Sequence, residues 1–354
     1  MKIKTKATAI DLFCGAGGLT HGLLKAGVPV NAGIDIDASC EYSYERNNAS
    51  KFFNKSVKDV TGAELRALYP SEGIKVLVGC APCQTFSKHT QKNKQRRKDE
   101  KWGLLYQFSR LISELAPEIV SMENVPGIAK YKVFSDFVRT LKSSGYHVSW
   151  EKVFCPKYGI PQNRRRLILL ASKLGKITLI PPTHTPDNFV TVQDVIGGLE
   201  ALPAGTASAE DPLHRAAALS ALNLKRIQAS VQGGTWNDWD KDLLAKCHKR
   251  KTGKTYTTVY SRMSWKKPAP TITTQFYVFG TGRFGHPTQD RAISLREGAL
   301  LQTFPKTYAF FEGDSIQSMR EMGIHIGNAV PVRLGEIIGE SILRHLGEHD
   351  GSQI

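Results

Sequence analysis

The chain has 354 residues, of which 41% are hydrophobic and 23% charged, so it is long enough for one large domain or two moderate ones. No apolar run approaches the ~20 residues of a membrane-spanning helix, and no signal-peptide core follows the basic N-terminus. Six cysteines in a chain of this length do not form a disulfide scaffold. We therefore expect a cytoplasmic protein with reduced thiols and no membrane partner.

The net charge is +16, from 48 lysines and arginines against 32 acidic residues, and such an excess attracts polyanions. The positive charge is clustered in three segments, 88–101, 164–166 and 246–254. A solvated basic surface would explain any one cluster. Three clusters together favour contacts with nucleic acid phosphates.

Short apolar segments alternate with amphipathic ones along the first half of the chain. The predicted strands are 7–13, 28–36, 76–78, 119–122, 146–153 and 166–171, and the predicted helices are 19–26, 39–47, 104–115 and 134–143. This alternation predicts an α/β fold with a doubly wound, mostly parallel sheet. The alternation stops after Ala171, and we expect a second, smaller domain of mixed structure. Regular patterns return at 294–303 and in an apolar helix at 334–346.

A glycine-rich turn, Cys14-Gly15-Ala16-Gly17-Gly18, follows the first predicted strand and allows the backbone to approach a ligand. A tight structural turn is an equally good reading of this segment alone. Asp35 ends the second strand, where a carboxylate can bind both ribose hydroxyls, and Asp59 could reach an adenine amino group. The turn lacks the usual dinucleotide pattern and a Walker lysine. An adenosine ligand without a long phosphate chain, such as S-adenosylmethionine, fits better.

The third predicted strand leads into Gly79-Cys80-Ala81-Pro82-Cys83-Gln84, and the next leads into Glu123-Asn124-Val125-Pro126-Gly127. Ligands of parallel α/β sheets bind where strands end at their carboxyl edge, so a cysteine and a glutamate could face one substrate there. A thiolate beside a carboxylic acid can attack an electron-poor ring and protonate it.

Cys80 and Cys83 also form a C-x-x-C pattern, which occurs in zinc sites and in dithiol oxidoreductases. A zinc site needs a second ligand pair, but Cys155 and Cys247 stand alone, so no metal is expected. A disulfide oxidoreductase remains a distant alternative. We interpret Cys83 as the nucleophile and Cys80 as incidental.

At this point the chain closely resembles the DNA cytosine-5 methyltransferases of bacterial restriction-modification systems. The matching blocks, in the family's order, are 11–18, 79–87, 123–127, 162–166, 291–297 with 301–305, and 327–331. One block could arise by chance, but six in order are highly specific. The resemblance implies the S-adenosylmethionine-dependent methyltransferase fold.

The resemblance also assigns roles to individual residues. It implies that Cys83 attacks carbon 6 of a flipped-out cytosine, that Glu123 holds ring nitrogen 3 and the exocyclic amine, and that Arg166 binds the carbonyl at position 2. Arg164 would stabilise the nearby loop or backbone. The implied S-adenosylmethionine contacts are Phe13, Gly15, Ala16, Gly17, Gly18, Asp35, Ile36, Asp59, Pro82, Leu105, Asn328, Ala329 and Val330. For Phe13, Ile36 and Leu105, plain core packing is a serious alternative.

In this family the variable region, here about 183–285, reads the DNA target. The resemblance implies a catalytic domain of residues 1–182 plus 318–354 and a target-recognition domain of residues 183–317. Candidate DNA contacts are Gln84, Ser87, Lys88, Arg96, Arg97, Arg250, Lys251, Lys254, Arg262, Thr271 and Ile272. The basic segment 88–101 is the candidate for closing on the DNA.

The expected reaction is methylation of a short duplex DNA target, with S-adenosylhomocysteine as the other product. We expect a monomer that shares its target site with a restriction endonuclease without binding it, although a methylase without a partner endonuclease would look the same. A transfer-RNA cytosine-5 methyltransferase is an alternative, and so is a catalytically silent DNA-binding relative. Intact Cys83, Glu123 and Arg166 argue against the silent relative.

Overall fold

The computed structural model describes residues 7–82, 103–250, 253, 258–313, 316 and 318–350. Cys83 and the basic segment 88–101 lie outside the described residues. The chain divides into two compact units. The first comprises Met1–Phe154, Arg165–Thr183 and Val330–Ile354, and the second comprises Cys155–Arg164 and His184–Ala329.

The described residues form nine strands and ten α-helices, and the two kinds of element alternate along the first unit. The described strands are β1 (Ala7–Leu12), β2 (Val30–Asp35), β3 (Lys51–Asn54), β4 (Ile74–Gly79), β5 (Ile119–Asn124), β6 (His147–Phe154), β7 (Gln162–Asn163), β8 (Arg165–Ser172) and β9 (Ala269–Pro270). The described α-helices are α1 (Gly18–Ala26), α2 (Glu41–Asn47), α3 (Gly62–Ala67), α4 (Gly103–Leu115), α5 (Lys132–Ser143), α6 (Val192–Ile196), α7 (Ala221–Gln228), α8 (Leu295–Leu301), α9 (Met319–Asn328) and α10 (Val332–Asp350).

Seven strands of the first unit form one sheet in the order β3-β2-β1-β4-β5-β8-β6. The first five pair in parallel, whereas β8 runs antiparallel to both β5 and β6. The predicted doubly wound, mostly parallel sheet is therefore confirmed. Its antiparallel member has a local cause, because no helix long enough for a parallel crossover separates β6 from β8.

The sheet is covered by helices whose apolar residues recur at helical spacing. On α4, the buried side chains are those of Leu105, Phe108, Leu111, Ile112 and Leu115, with Ser109 beside them. The rings of Phe108 and of Phe137 on α5 lie 5.6 Å apart and tilted. These residues belong to the main core of the first unit, which also contains residues of β1, β4 and β5. The core fixes the ends of those three strands.

Helices α1 and α10 pack at unusually short range. A Cβ atom added to Gly22 would lie 2.2 Å from the carbonyl oxygen of Val332, and one added to Gly335 would lie 2.7 Å from the carbonyl oxygen of Leu19. Only glycine permits this approach of two backbones. The resulting contact holds the helix that follows the glycine-rich turn.

The second unit contains little regular structure. Its described strands are the two-residue β7 and β9, which pair in parallel. Residues 155–164 and 318–329 belong to this unit, whereas the sequence analysis placed them in the catalytic domain. Within the part of the chain that the structure describes, no helix is both long enough and apolar enough to cross a membrane.

Candidate active site

The carboxyl ends of β4 and β5 bring two of the predicted residues together. Gly79 at the end of β4 pairs with Met122 on β5, so Cys80, which follows β4, lies beside Glu123 near the carboxyl end of β5. Because β8 is antiparallel to β5, its amino end lies at this same edge, where Asn124 pairs with Leu167. Arg166 precedes Leu167. The antiparallel β8 thus places Arg166 at the edge where the parallel strands have their carboxyl ends.

The Glu123 carboxylate is the centre of this group, and only 2% of the residue is exposed. Its Oε2 accepts a hydrogen bond from the Cys80 thiol at 2.6 Å, and its Oε1 lies 2.6 Å from Nε of Arg166. The direction of the Arg166 N–H is poor for a hydrogen bond, so this second contact is an ion pair and Oε1 is not saturated. The group therefore presents a fixed carboxyl that can still bind another donor.

The turns that follow β4 and β5 are tied to each other. The Asn124 side chain donates to the carbonyl oxygen of Ala81 at 3.1 Å and accepts from the backbone N–H of Val125 at 2.9 Å. Ala81 and Pro82 lead directly to Cys83, which lies outside the described residues. Asn124 thereby holds the backbone of Ala81, which precedes the predicted nucleophile by two residues.

The glycine-rich turn after β1 forms a second part of the edge. Phe13, Gly15 and Gly17 all adopt positive φ angles, of 60°, 50° and 89°, and a positive φ is costly for phenylalanine. The backbone N–H of Gly15 donates to Oδ2 of Asp35 at 2.9 Å, and the N–H of Asp37 donates to Oδ1 at 3.0 Å. Asp35 is thus oriented by the turn, and each carboxylate oxygen keeps a lone pair for a ligand hydroxyl.

Other predicted S-adenosylmethionine contacts have different surroundings. Ile36 is 73% exposed, which is unusual for an isoleucine and suits a side chain that covers an apolar ligand face. Asp59 is exposed, and Phe13 is half-buried against the main core. Leu105 is 3% exposed and packs within that core. Asn328 and Ala329 belong to the second unit, and Val330 belongs to the first.

Asp11 was not among the predicted site residues, yet its carboxyl is fully buried beneath the glycine-rich turn. Thr20 on α1 donates to its Oδ2 at 2.8 Å, and Oδ1 has no hydrogen-bond partner among the described residues. Burial, opposed by the Thr20 hydrogen bond and reinforced by the negative charge of Asp35, raises the pKa of Asp11 to about 8. Sequence alone could have flagged it, because an acid inside an apolar strand requires a partner.

Arg164 holds backbone within the second unit. Its 4% exposed side chain donates to the carbonyl oxygen of Ile272 at 3.2 Å and approaches that of Ala329 at 3.5 Å. Because β8 begins at Arg165, Arg164 lies outside the strand that carries Arg166. Arg165 is exposed and stacks 4.5 Å from the Phe154 ring.

Two predicted DNA contacts conflict with the structure. Arg262 is 6% exposed, and all of its nitrogen atoms donate to groups of the second unit, namely the carbonyl oxygens of Ile227, Ser230, His286 and Gln289 and the carboxylate of Asp290. A guanidinium with no remaining donor cannot also bind a phosphate, so Arg262 is a structural residue. Ile272 is 1% exposed, and its backbone N–H and carbonyl already bond to Gln162 and Arg164.

Of the remaining predicted DNA contacts, Arg250 is exposed and Thr271 is partly exposed, with its hydroxyl donating to the carbonyl oxygen of Asn163 at 2.9 Å. The others lie outside the described residues: Gln84, Ser87, Lys88, Arg96, Arg97, Lys251 and Lys254. Their roles remain predictions.

Comparison with known proteins agrees with this arrangement. A family model described as C-5 cytosine-specific DNA methylase matches residues 7–344. The chain is 54% identical over 349 residues to the Type II methylase M.HgiDII of Herpetosiphon aurantiacus, with 98% of each chain covered. It is 30% identical to the Type II methyltransferase M1.BsuMI of Bacillus subtilis, covering 94% of this chain and 80% of that protein.

Two solved structures share the fold at low sequence identity. One is a candidate DNA modification methyltransferase from an E. coli prophage, with a TM-score of 0.73 and 21% identity over 96% of this chain and 99% of that one. The other is the S. pombe Dnmt2 methyltransferase, with a TM-score of 0.62, 16% identity and the same coverages. Both likenesses concern the fold alone. The family match over nearly the whole chain decides the assignment, and the protein belongs to the C-5 cytosine-specific DNA methylases.

Proposed function

We propose that this protein transfers the methyl group of S-adenosylmethionine to carbon 5 of a flipped-out cytosine in duplex DNA, with Cys83 as the nucleophile. The observation that carries the proposal is the buried Glu123 carboxylate, which lies beside Arg166 at the carboxyl edge from which the chain runs toward Cys83. A fixed acid and a fixed cation at one strand edge suit recognition of a planar ring with alternating donors and acceptors.

The chemistry requires these groups because carbon 5 of cytosine is a poor nucleophile. The Cys83 thiolate forms a bond to carbon 6 while Glu123 delivers a proton to nitrogen 3, which leaves an enamine whose carbon 5 can attack a methyl group. Arg166 binds the carbonyl at position 2 and offsets the charge that develops on the ring. Loss of the carbon-5 proton to a base then expels the Cys83 thiolate, and return of the nitrogen-3 proton to Glu123 leaves neutral 5-methylcytosine.

The described residues fit the proposed cofactor. S-adenosylmethionine supplies an electrophilic methyl group when bound, and the chain supplies the site that orients it. Asp35 has two oriented oxygens for the ribose hydroxyls, Ile36 presents an exposed apolar side chain for the adenine, and Asp59 is exposed near the end of β3.

The substrate must leave its duplex, because stacking and pairing bury carbon 6. Extrusion of one base costs a few kcal/mol, which protein contacts with the DNA must offset. The net charge of +16 supports binding to the phosphate backbone. We assign target recognition to the variable region, with Arg250 and Thr271 as its candidate contacts among the described residues.

The two relatives reported above carry Type II names, and we propose that this protein likewise protects host DNA within a restriction-modification system. A partner endonuclease would recognise the same site without binding the methylase. The protein would act as a monomer in the cytoplasm. Transfer RNA is the alternative substrate, and the test below includes it.

The test is transfer of a labelled methyl group from S-adenosylmethionine to unmethylated duplex DNA, followed by bisulfite sequencing. We expect label on cytosine carbon 5 with the wild type, no label with Cys83→Ser, and a loss of about 10²-fold or more with Glu123→Gln. Glu151→Gln removes an exposed carboxylate from strand β6 of the same sheet and should leave the rate unchanged. Label on transfer RNA alone would refute the DNA substrate, and DNA binding without label on either nucleic acid would favour a silent relative.

A further inference from the structure

Cys80 lies against the proposed proton donor, although the sequence analysis interprets it as incidental. Its backbone N–H donates to the carbonyl oxygen of Leu12 at 3.3 Å, which anchors the residue to the end of β1. Its side chain points at the Glu123 carboxylate, with Sγ 2.6 Å from Oε2. Cys80 is half-buried and Glu123 is almost fully buried, so solvent competes little for this hydrogen bond.

The contact places the Glu123 carboxyl between two groups. Arg166 attracts Oε1 and the Cys80 thiol binds Oε2, so both oxygens are held within the first unit. A glutamate side chain has three rotatable bonds, and ordering it costs conformational entropy. Two partners on the two oxygens meet this cost before any substrate binds, which is preorganisation.

The chemical nature of the donor is also informative. A thiol is a weak hydrogen-bond donor, whereas the exocyclic amine of a cytosine is a stronger one. A thiol on Oε2 therefore orients the carboxyl but yields or shares that oxygen at small cost when an amine arrives. A serine hydroxyl at this position would orient the carboxyl equally well and would compete more strongly with the amine.

We propose that Cys80 is a positioning residue, whose thiol holds the Glu123 carboxyl in its working orientation and occupies Oε2 until the amino group of the target base replaces it. This inference rests on the proposed cytosine methylation and deepens it. It concerns a thiol that itself forms no bond to the base. Cys80 acts only through Glu123, and this distinguishes it from Cys83.

A double-mutant cycle tests the role. We expect Cys80→Ala to lower the single-turnover methylation rate about tenfold with little change in KM for DNA, because the variant leaves the carboxyl with one partner. In a Glu123→Gln background the same substitution should change the rate by less than about twofold. Cys80→Ser should restore the rate to within about threefold of the wild type and raise KM for DNA. An equal effect of Cys80→Ala in both backgrounds would assign Cys80 to packing and overturn the proposal.

Cys40→Ala is the matched control, because Cys40 is a 3% exposed thiol of the same unit that packs with Tyr44 and Phe52 instead of Glu123. It should leave the methylation rate unchanged, and thermal unfolding of all variants should show whether any rate loss follows a loss of stability.

A second measurement does not depend on methylation. In the Cys83→Ser protein we expect iodoacetamide to alkylate Cys80 roughly tenfold faster after Glu123→Gln, because a neighbouring carboxylate disfavours the thiolate that reacts. Mass spectrometry of the Cys80 peptide gives the rate. An unchanged rate would show that the thiol and carboxylate do not interact, whether or not the wild type methylates DNA. Absence of methylation by the wild type would instead refute the proposed function.

Discussion

Two buried arginines of the second unit and two buried carboxyl groups of the first unit differ in how fully their hydrogen-bonding atoms are paired. In the second unit, the buried guanidinium groups of Arg262 and Arg291 use every nitrogen in hydrogen bonds to protein acceptors. In the first unit, Asp11 has one carboxyl oxygen without a partner among the described residues, and Oε1 of Glu123 has an ion pair without an aligned hydrogen bond. Arg262 and Arg291 therefore serve the fold of the second unit, whereas Asp11 and Glu123 each keep an oxygen without an aligned donor among the described residues.

The difference follows from how each unit is held together. The first unit has a seven-stranded sheet whose backbone groups satisfy one another, so its buried side chains are released from that task. The described part of the second unit has a two-stranded pair, the short helices α6 to α9 and long irregular segments, whose buried carbonyl groups need other donors. Its arginines supply these donors. A buried arginine there donates hydrogen bonds to carbonyl groups that a neighbouring strand would pair in a sheet.

Breaking the fully buried ion pair between Arg291 and Glu297 should have the largest effect. Arg291 is 0% exposed and forms two hydrogen bonds of 2.7 Å with Glu297, a residue that also caps α8. Desolvation alone would raise the pKa of Glu297, but the hydrogen bonds and charge of Arg291 outweigh it and lower that pKa. We expect Arg291→Met to cost about 3–5 kcal/mol of unfolding free energy, because it leaves Glu297 buried and unpaired. Urea denaturation measures this value.

The double variant Arg291→Met/Glu297→Leu serves as its control. Removing both charges together should restore part of the stability that the single variant loses. If the single variant unfolds at the wild-type urea concentration, the arginine network does not stabilise the second unit.

The charge of Asp11 should destabilise the fold, whereas the charge of Arg291 stabilises it. The reason is that burial disfavours the ionised Asp11 carboxyl. Its folded pKa of about 8 lies above the unfolded value, so the folded state binds one more proton between pH 4 and pH 8. The contribution of Asp11 to stability is therefore fully present below about pH 4 and is lost as the pH rises toward 8. Asp11→Asn, which cannot ionise, should be more stable than the wild type at pH 8 by on the order of a few kcal/mol. Thermal unfolding at pH 5 and pH 8 checks this, and a difference independent of pH would refute it.

The smallest expected effects separate a buried arginine from an exposed one in the same region. Arg262→Met should cost about 1–3 kcal/mol of unfolding free energy, because five protein acceptors lose their donor.

Arg250→Ala should leave stability within about 0.5 kcal/mol of the wild type. The second variant should instead weaken DNA binding and lower the salt slope by about one unit. Binding titrations at several salt concentrations test this, and an unchanged slope would exclude a phosphate contact by Arg250.

Periodicity predicted the first unit well, because its elements bury one face each. The apolar helix expected at 334–346 appears as α10, and the strand expected at 166–171 appears as β8. Short elements such as β3 and α3 were missed, since four to six residues carry little periodic signal. The partners of Cys80 were also missed, because spacing in sequence does not reveal which side chain meets a carboxylate 43 residues away.

In the second unit, the same reasoning identified the basic residues but did not predict which of them are buried. Its arginines were counted as candidates for DNA contact, yet Arg262 turned out to serve the interior. Basic residues in an irregular segment have the same appearance in sequence whether they face solvent or carbonyl groups, and only the fold separates these cases.

The packing of α1 against α10 bears on when, during synthesis of the chain, the proposed methyl transfer becomes possible. α1 leaves the ribosome early, whereas its partner lies almost at the other end of the described chain. At bacterial synthesis rates the two are separated by on the order of tens of seconds, during which the glycine face of α1 has no cover. Because α1 follows directly from the glycine-rich turn, we expect the proposed donor site to take its final form only after α10 docks. A nascent or truncated chain without α10 would therefore be unable to modify the genome.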